Sequence, residues 1–206
     1  MRSQEFLRFL SRNYPDPGRI CWLADNQRKI RGGWEAWLQV EIAITFVSYS
    51  DGWECEREAG YPSGDLNNPW LSYDRQAGIA TTVRHLNHAS RCDFYLHRSA
   101  AQDRPRDDTY FELKCMNLNA HDPVRDAWER FNSDIYKIEA VTQTNRLING
   151  IALLASYGSF AEGVPRPGPN MRAYVWDPTD QNNVSLLANV NRDPTDRFFM
   201  VAVSLV

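Results

Sequence analysis

The stretch Thr109-Tyr110-Phe111-Glu112-Leu113-Lys114-Cys115 is apolar except for one acid and one lysine, two places apart. Side chains alternate along a strand, so Tyr110, Glu112 and Lys114 share one face and Phe111, Leu113 and Cys115 the other. A strand with a hidden aromatic face is ordinary. One that also sends a carboxylate and an ammonium the same way is arranged for chemistry or for an ion pair. The lysine sharpens the point, because among 23 Lys and Arg residues lysine stands only at Lys29, Lys114 and Lys137. A lysine is a compact charge that can orient a water or give up its proton when desolvated, whereas arginine stays charged.

Upstream lies a second short strand pattern, Arg91-Cys92-Asp93-Phe94-Tyr95-Leu96-His97, with an acid near its start. Residues 99–108 between the two runs are rich in Asp, Arg and Pro and read as a polar hairpin loop. Antiparallel pairing of the two strands would bring Asp93 near Glu112. Two hard carboxylates with open water positions suit Mg²⁺ or Mn²⁺. Asp107 and Asp108 compete with Asp93 but read as loop residues.

The flanking segments supply helices. Residues 33–46 carry apolar side chains at Trp34, Trp37, Leu38, Ile42 and Phe46, which is helical spacing. Glu41 borders that stripe, while Glu35 at the helix start is accounted for by the helix dipole. Residues 122–143 form a long amphipathic helix pattern, capped by Asp122-Pro123, with Trp128, Phe131, Ile135 and Ile138 as its stripe. Asn149-Gly150 then turns into the apolar run 151–157, short enough for a buried strand. Further strands are expected at 173–176 and 198–205, and a short amphipathic helix over 1–10. Residues 50–75, with Gly52, Gly60, Pro62, Gly64 and Pro69, read as loop, as do 163–169.

Asp93, Glu112-Leu113-Lys114 and the order of these elements over about residues 33–157 resemble the PD-(D/E)XK nuclease superfamily. No proline precedes the acid here. The resemblance implies an α/β domain, a restriction-endonuclease-like central mixed sheet flanked by helices, hydrolysing phosphodiester bonds with Mg²⁺ or Mn²⁺. It assigns Asp93 and Glu112 as metal ligands, Lys114 to the attacking water and a helical glutamate, Glu41, to complete the metal shell. Asp134-x-x-Lys137 is similar to a pattern on the helix that follows the catalytic strand in that superfamily.

Each residue has a plainer reading. Glu112 and Lys114 can form a salt bridge of small energy. Asp93 can end a strand, Glu41 can be solvated, and Lys137 can be an exposed helix lysine. His85 and His88 lack the glutamate and cysteine neighbours of a zinc site and, like His97, could instead line a channel. The four cysteines form no Cys-x-x-Cys; Cys92 and Cys115 read as small buried hydrophobes.

Composition sets the outer limits. A chain of 206 residues, 43% hydrophobic and 24% charged, suits one substantial core and a single domain over 1–206. No signal peptide or membrane span is expected, and scattered cysteines and abundant arginine fit the cytoplasm of a GC-rich bacterium. A net charge of -3 excludes a protein that coats nucleic acid indiscriminately, but not a nuclease with a local basic patch. Such patches lie at 28–33 and 98–106. The expected partner is nucleic acid, DNA before RNA, with a homodimer possible. The competing function is a catalytically silent member of the same fold that binds a protein in an immunity or defence role. Trp53, Trp70 and Trp176 would then serve as interface anchors. A third reading is an unrelated α+β domain whose Glu112–Lys114 pair is only a salt bridge.

Overall fold

A computed structural model describes residues 1–26, 34–49, 52–98, 108–117, 124–159, 168–179, 183–190 and 196–206. The basic patch at 28–33, the 99–108 loop up to and including Asp107, the Asp122-Pro123 cap and most of the 163–169 loop lie outside the described residues.

Four helices flank the sheet: α1 (Ser3–Asn13), α2 (Pro17–Asp25), α3 (Trp34–Tyr49) and α4 (Val124–Thr144). The strands are β1 (Trp53–Arg57), β2 (Trp70–Asp74), β3 (Ile79–Val83), β4 (Phe94–Arg98), β5 (Thr109–Asn117), β6 (Asn149–Ser159), β7 (Met171–Trp176), β8 (Val184–Leu186) and β9 (Asp196–Leu205). Seven of them form one mixed sheet in the order β1-β4-β5-β6-β9-β7-β8, and β2 and β3 make a separate hairpin. Among the described residues only β5 and β6 run parallel, with α4 between them in the chain; the other pairings are antiparallel. The architecture is α/β with a mixed sheet between helices, as expected. The segment 50–75, expected as loop, carries β1 and β2.

Alternation along β5 divides the core as the sequence implies. Phe111 and Leu113 face α1–α3, where they join Phe6, Leu10, Leu38, Ile42, Phe46 and Phe94. Tyr110 and Met116 face α4, beside Trp128, Phe131, Ile135 and Ile138. Full burial of each large apolar side chain contributes about 1.5–3 kcal/mol, so the two layers hold the sheet between them. Trp53 and Trp176 are buried in the first layer, which removes them as interface anchors.

Gly150, at the start of β6, sets the height of α4. A Cβ there would stand 2.8 Å from Ile138 Cγ2 and 2.9 Å from Thr142 Cγ2, too close for any other residue without movement. The absent side chain lets α4 lie against the sheet, and Asp134 and Lys137 on that helix reach β5.

Candidate active site on the free edge of β5

β4 and β5 pair over only three positions, ending at Phe94↔Phe111. Beyond that point β5 continues to Asn117 with β6 on one edge. Unpaired strand N–H groups need other acceptors. Two carboxylates take that place. Asp93, which immediately precedes β4, accepts the Leu113 N–H on Oδ2 at 2.6 Å. Glu35, in the first turn of α3, accepts the Cys115 N–H on Oε2 at 3.4 Å.

Lys114 lies between these two backbone positions and turns toward α4. Its Nζ pairs with Asp134 Oδ2 at 3.5 Å and donates to its neighbour's carbonyl, Leu113 O, at 3.3 Å. Glu112, on the same face, is 5% exposed. Its Oε1 lies 2.7 Å from Lys137 Nζ and accepts the hydroxyl of the fully buried Tyr61. Lys137 also donates to Arg91 O at 2.7 Å and sits 5.3 Å above the Tyr61 ring. That bond ties the segment carrying Asp93 to α4. Lys137 is therefore an internal ion-pair partner, against the plain reading of an exposed helix lysine.

The charges are unequal. Glu35, Asp93, Glu112 and Asp134 face Lys114 and Lys137, an excess of two negative charges when all are ionised. Burial pushes the Asp134 carboxyl up to about 7, with Glu112 and Asp93 adding to it and Lys114 opposing. Burial also raises Glu35 and Glu112, and the Asp93 charge adds to both. Desolvation pulls Lys114 down, but Asp134, Glu35, Asp93 and Glu112 outweigh it and hold the ammonium above its usual range. The carboxylates around it therefore favour the ammonium form of Lys114.

Glu41 stands elsewhere. It accepts the Tyr14 hydroxyl at 3.1 Å and pairs with Arg19 at 3.1 Å, joining α3 to α1 and α2. The helical glutamate that reaches the Asp93–Lys114 cluster is Glu35. The helix dipole accounts for a glutamate at the start of α3 without any contact to β5, and which end of α3 abuts β5 is a matter of tertiary docking. Tyr61 was also missed. Its only signal in the sequence is a tyrosine between Gly60 and Pro62 in a segment that reads as turn.

The donors available for a metal are hard carboxylate oxygens, which suit Mg²⁺ or Mn²⁺. Asp93 and Glu35 each use one oxygen on a backbone N–H, and Glu112 uses Oε1. The second oxygen of each has no hydrogen bond or ion pair among the described residues. Also among the described residues, no three carboxylate, histidine or cysteine side chains stand close enough together to hold an ion as placed. The fit rests on donor chemistry and on the excess negative charge, which a divalent cation would offset.

His97 Nε2 stands 3.5 and 3.8 Å from carboxylate oxygens of Glu56 and Glu54 on β1, at the β1–β4 junction. All four cysteines are free thiols, with Cys92 buried and Cys115 partly so. No helix among the described residues is long and apolar enough to cross a membrane.

No family model matches this chain, and neither do curated proteins or solved structures.

Proposed function

We propose that this chain is a metal-dependent nuclease that hydrolyses phosphodiester bonds, with DNA as substrate. The observation that carries the reading is the free edge of β5. There Asp93 and Glu35 flank Lys114, whose ammonium form the surrounding carboxylates favour, with Glu112 two residues earlier on the same face. Asp93, Glu112 and Glu35 would hold Mg²⁺ or Mn²⁺. A bound cation supplies charge neutralisation at the phosphate and polarises water. Lys114 would add a positive charge that orients the attacking water or a phosphate oxygen. Asp134 holds that ammonium in place from α4. The resemblance to PD-(D/E)XK nucleases supports the same reading, with Glu35 in the position the sequence had given to Glu41.

A second reading has one observation in its favour. Val40, Ile44 and Val47 on α3 are 44%, 53% and 54% exposed and share a helical face. A silent nuclease-like fold that binds a protein would have use for such a face. The deciding experiment incubates the full chain with plasmid DNA, or with RNA in a parallel arm, in Mg²⁺ or Mn²⁺. Lys114→Ala and an EDTA control run beside it. Metal-dependent cutting that Lys114→Ala loses supports the nuclease. No cutting of either nucleic acid, with no metal uptake in calorimetry, moves the assignment to the binding module.

A further inference from the structure

Tyr61 and Lys137 come from separate parts of the chain, the segment between the Gly60 and Pro62 bridges before β2 and the middle of α4, yet both meet the same oxygen of Glu112. The Tyr61 hydroxyl donates to Oε1, and Lys137 Nζ lies 2.7 Å from Oε1. Oε2 has no hydrogen bond or ion pair among the described residues. A buried carboxylate whose two oxygens are treated so differently has a fixed orientation, since rotating it would break both bonds at once. Outer partners that hold a ligand carboxylate in this way commonly set metal affinity.

The two donors are themselves built in. Tyr61 is fully buried and packs at a tilt against Tyr110, with ring centroids 5.3 Å apart. Its backbone N–H donates to Ser90 O at 3.3 Å, and its carbonyl accepts the Leu71 N–H at 2.8 Å. Lys137 is fixed by Arg91 O and by the face of the Tyr61 ring. Among the described residues neither makes a hydrogen bond or ion pair with Asp93 or Glu35.

We propose that Tyr61 and Lys137 are positioning residues that hold Glu112 by one oxygen and present the other to a divalent cation. This rests on the metal-dependent reading given above. It goes beyond that reading by assigning the metal affinity of the site to two residues that do not touch the ion.

The test is Mn²⁺ binding by calorimetry to the full-length wild type, Tyr61→Phe, Lys137→Met and Lys137→Arg, with thermal unfolding of each apo protein alongside. Expected is a loss of Mn²⁺ affinity of about 10–100-fold in Tyr61→Phe and Lys137→Met, with Lys137→Arg recovering much of it. Tyr61→Phe keeps the ring and its packing, so it carries the test if Lys137→Met fails to fold. Wild type that binds Mn²⁺ while Tyr61→Phe binds equally well, whatever its melting temperature, overturns the positioning role alone. Wild type that binds no Mn²⁺ overturns the metal-dependent reading, and this inference with it.

Discussion

Both faces of the central sheet carry an apolar layer, but along β5 only the α4 face adds buried charges to it. Toward α1–α3 the contacts are aromatic and dry: Phe6 packs on Phe111 at 4.7 Å between ring centroids, and Phe94 stacks on Phe111 at 4.4 Å. Toward α4 the same strand, one residue out of phase, places Glu112 and Lys114 against Lys137 and Asp134. An apolar face stabilises by burial, and its cost is felt only when an atom is removed. A buried ionic face gives little net stability, because desolvation offsets most of the attraction. What a chain retains at such cost is better explained by chemistry than by folding.

That contrast can be broken in four places. The largest effect on stability belongs to the dry face. Phe111→Ala is expected to destabilise by about 3–5 kcal/mol, as for other buried phenylalanines, read from chemical unfolding. A loss below about 1 kcal/mol would mean that the aromatic layer does not hold the sheet. On the ionic face Lys114→Ala should reduce metal-dependent cleavage by about 10²–10³-fold, the usual effect of removing one preorganised charge. Its melting temperature should stay within a few degrees of wild type. A variant that unfolds instead would make Lys114 a structural cation.

Third comes pH. The Asp134 carboxyl titrates at about 7 in the fold against an ordinary 3.8. The folded chain therefore binds a proton that the unfolded chain releases between those values. Without divalent cation, stability should be greatest below the lower value and fall as pH rises through the upper one. The drop is on the order of 2–4 kcal/mol. Asp134→Asn should flatten that slope; an unchanged slope in urea titrations from pH 4 to 8 would place its origin elsewhere. The smallest effect is expected at Glu41. Glu41→Gln weakens a half-exposed tie to Arg19 and Tyr14, costing about 1 kcal/mol with cleavage intact.

The apolar layers were more legible in the sequence than the cluster of charges. Alternation in β5, the stripe of α4 and the apolar run of β6 carry their periods openly, so these elements and the antiparallel neighbourhood of β4 and β5 could be read ahead, whereas the parallel pairing of β5 with β6 came from the structure. β1 and β2 could not. In Trp53–Arg57 only Trp53 is buried, and glycines and prolines around both strands read as turns. The ionic face was half legible. Lys114 and Glu112 declare themselves by spacing, and Asp93 by its place before a strand. Glu35 and Glu41 are equally plausible on a helical wheel, and only the docking of α3 against the free edge of β5 separates them. Tyr61 is further still from view, because nothing local ties this tyrosine to a strand glutamate about fifty positions away.

The most direct test is therefore the pair of substitutions Glu35→Gln and Glu41→Gln in one plasmid-cleavage assay with Mg²⁺, beside wild type. The site described here requires wild type and Glu41→Gln to cut alike, and Glu35→Gln to lose at least about tenfold. Loss confined to Glu41→Gln would contradict the placement of the site on the free edge of β5, and a wild type that cuts nothing would contradict the nuclease itself.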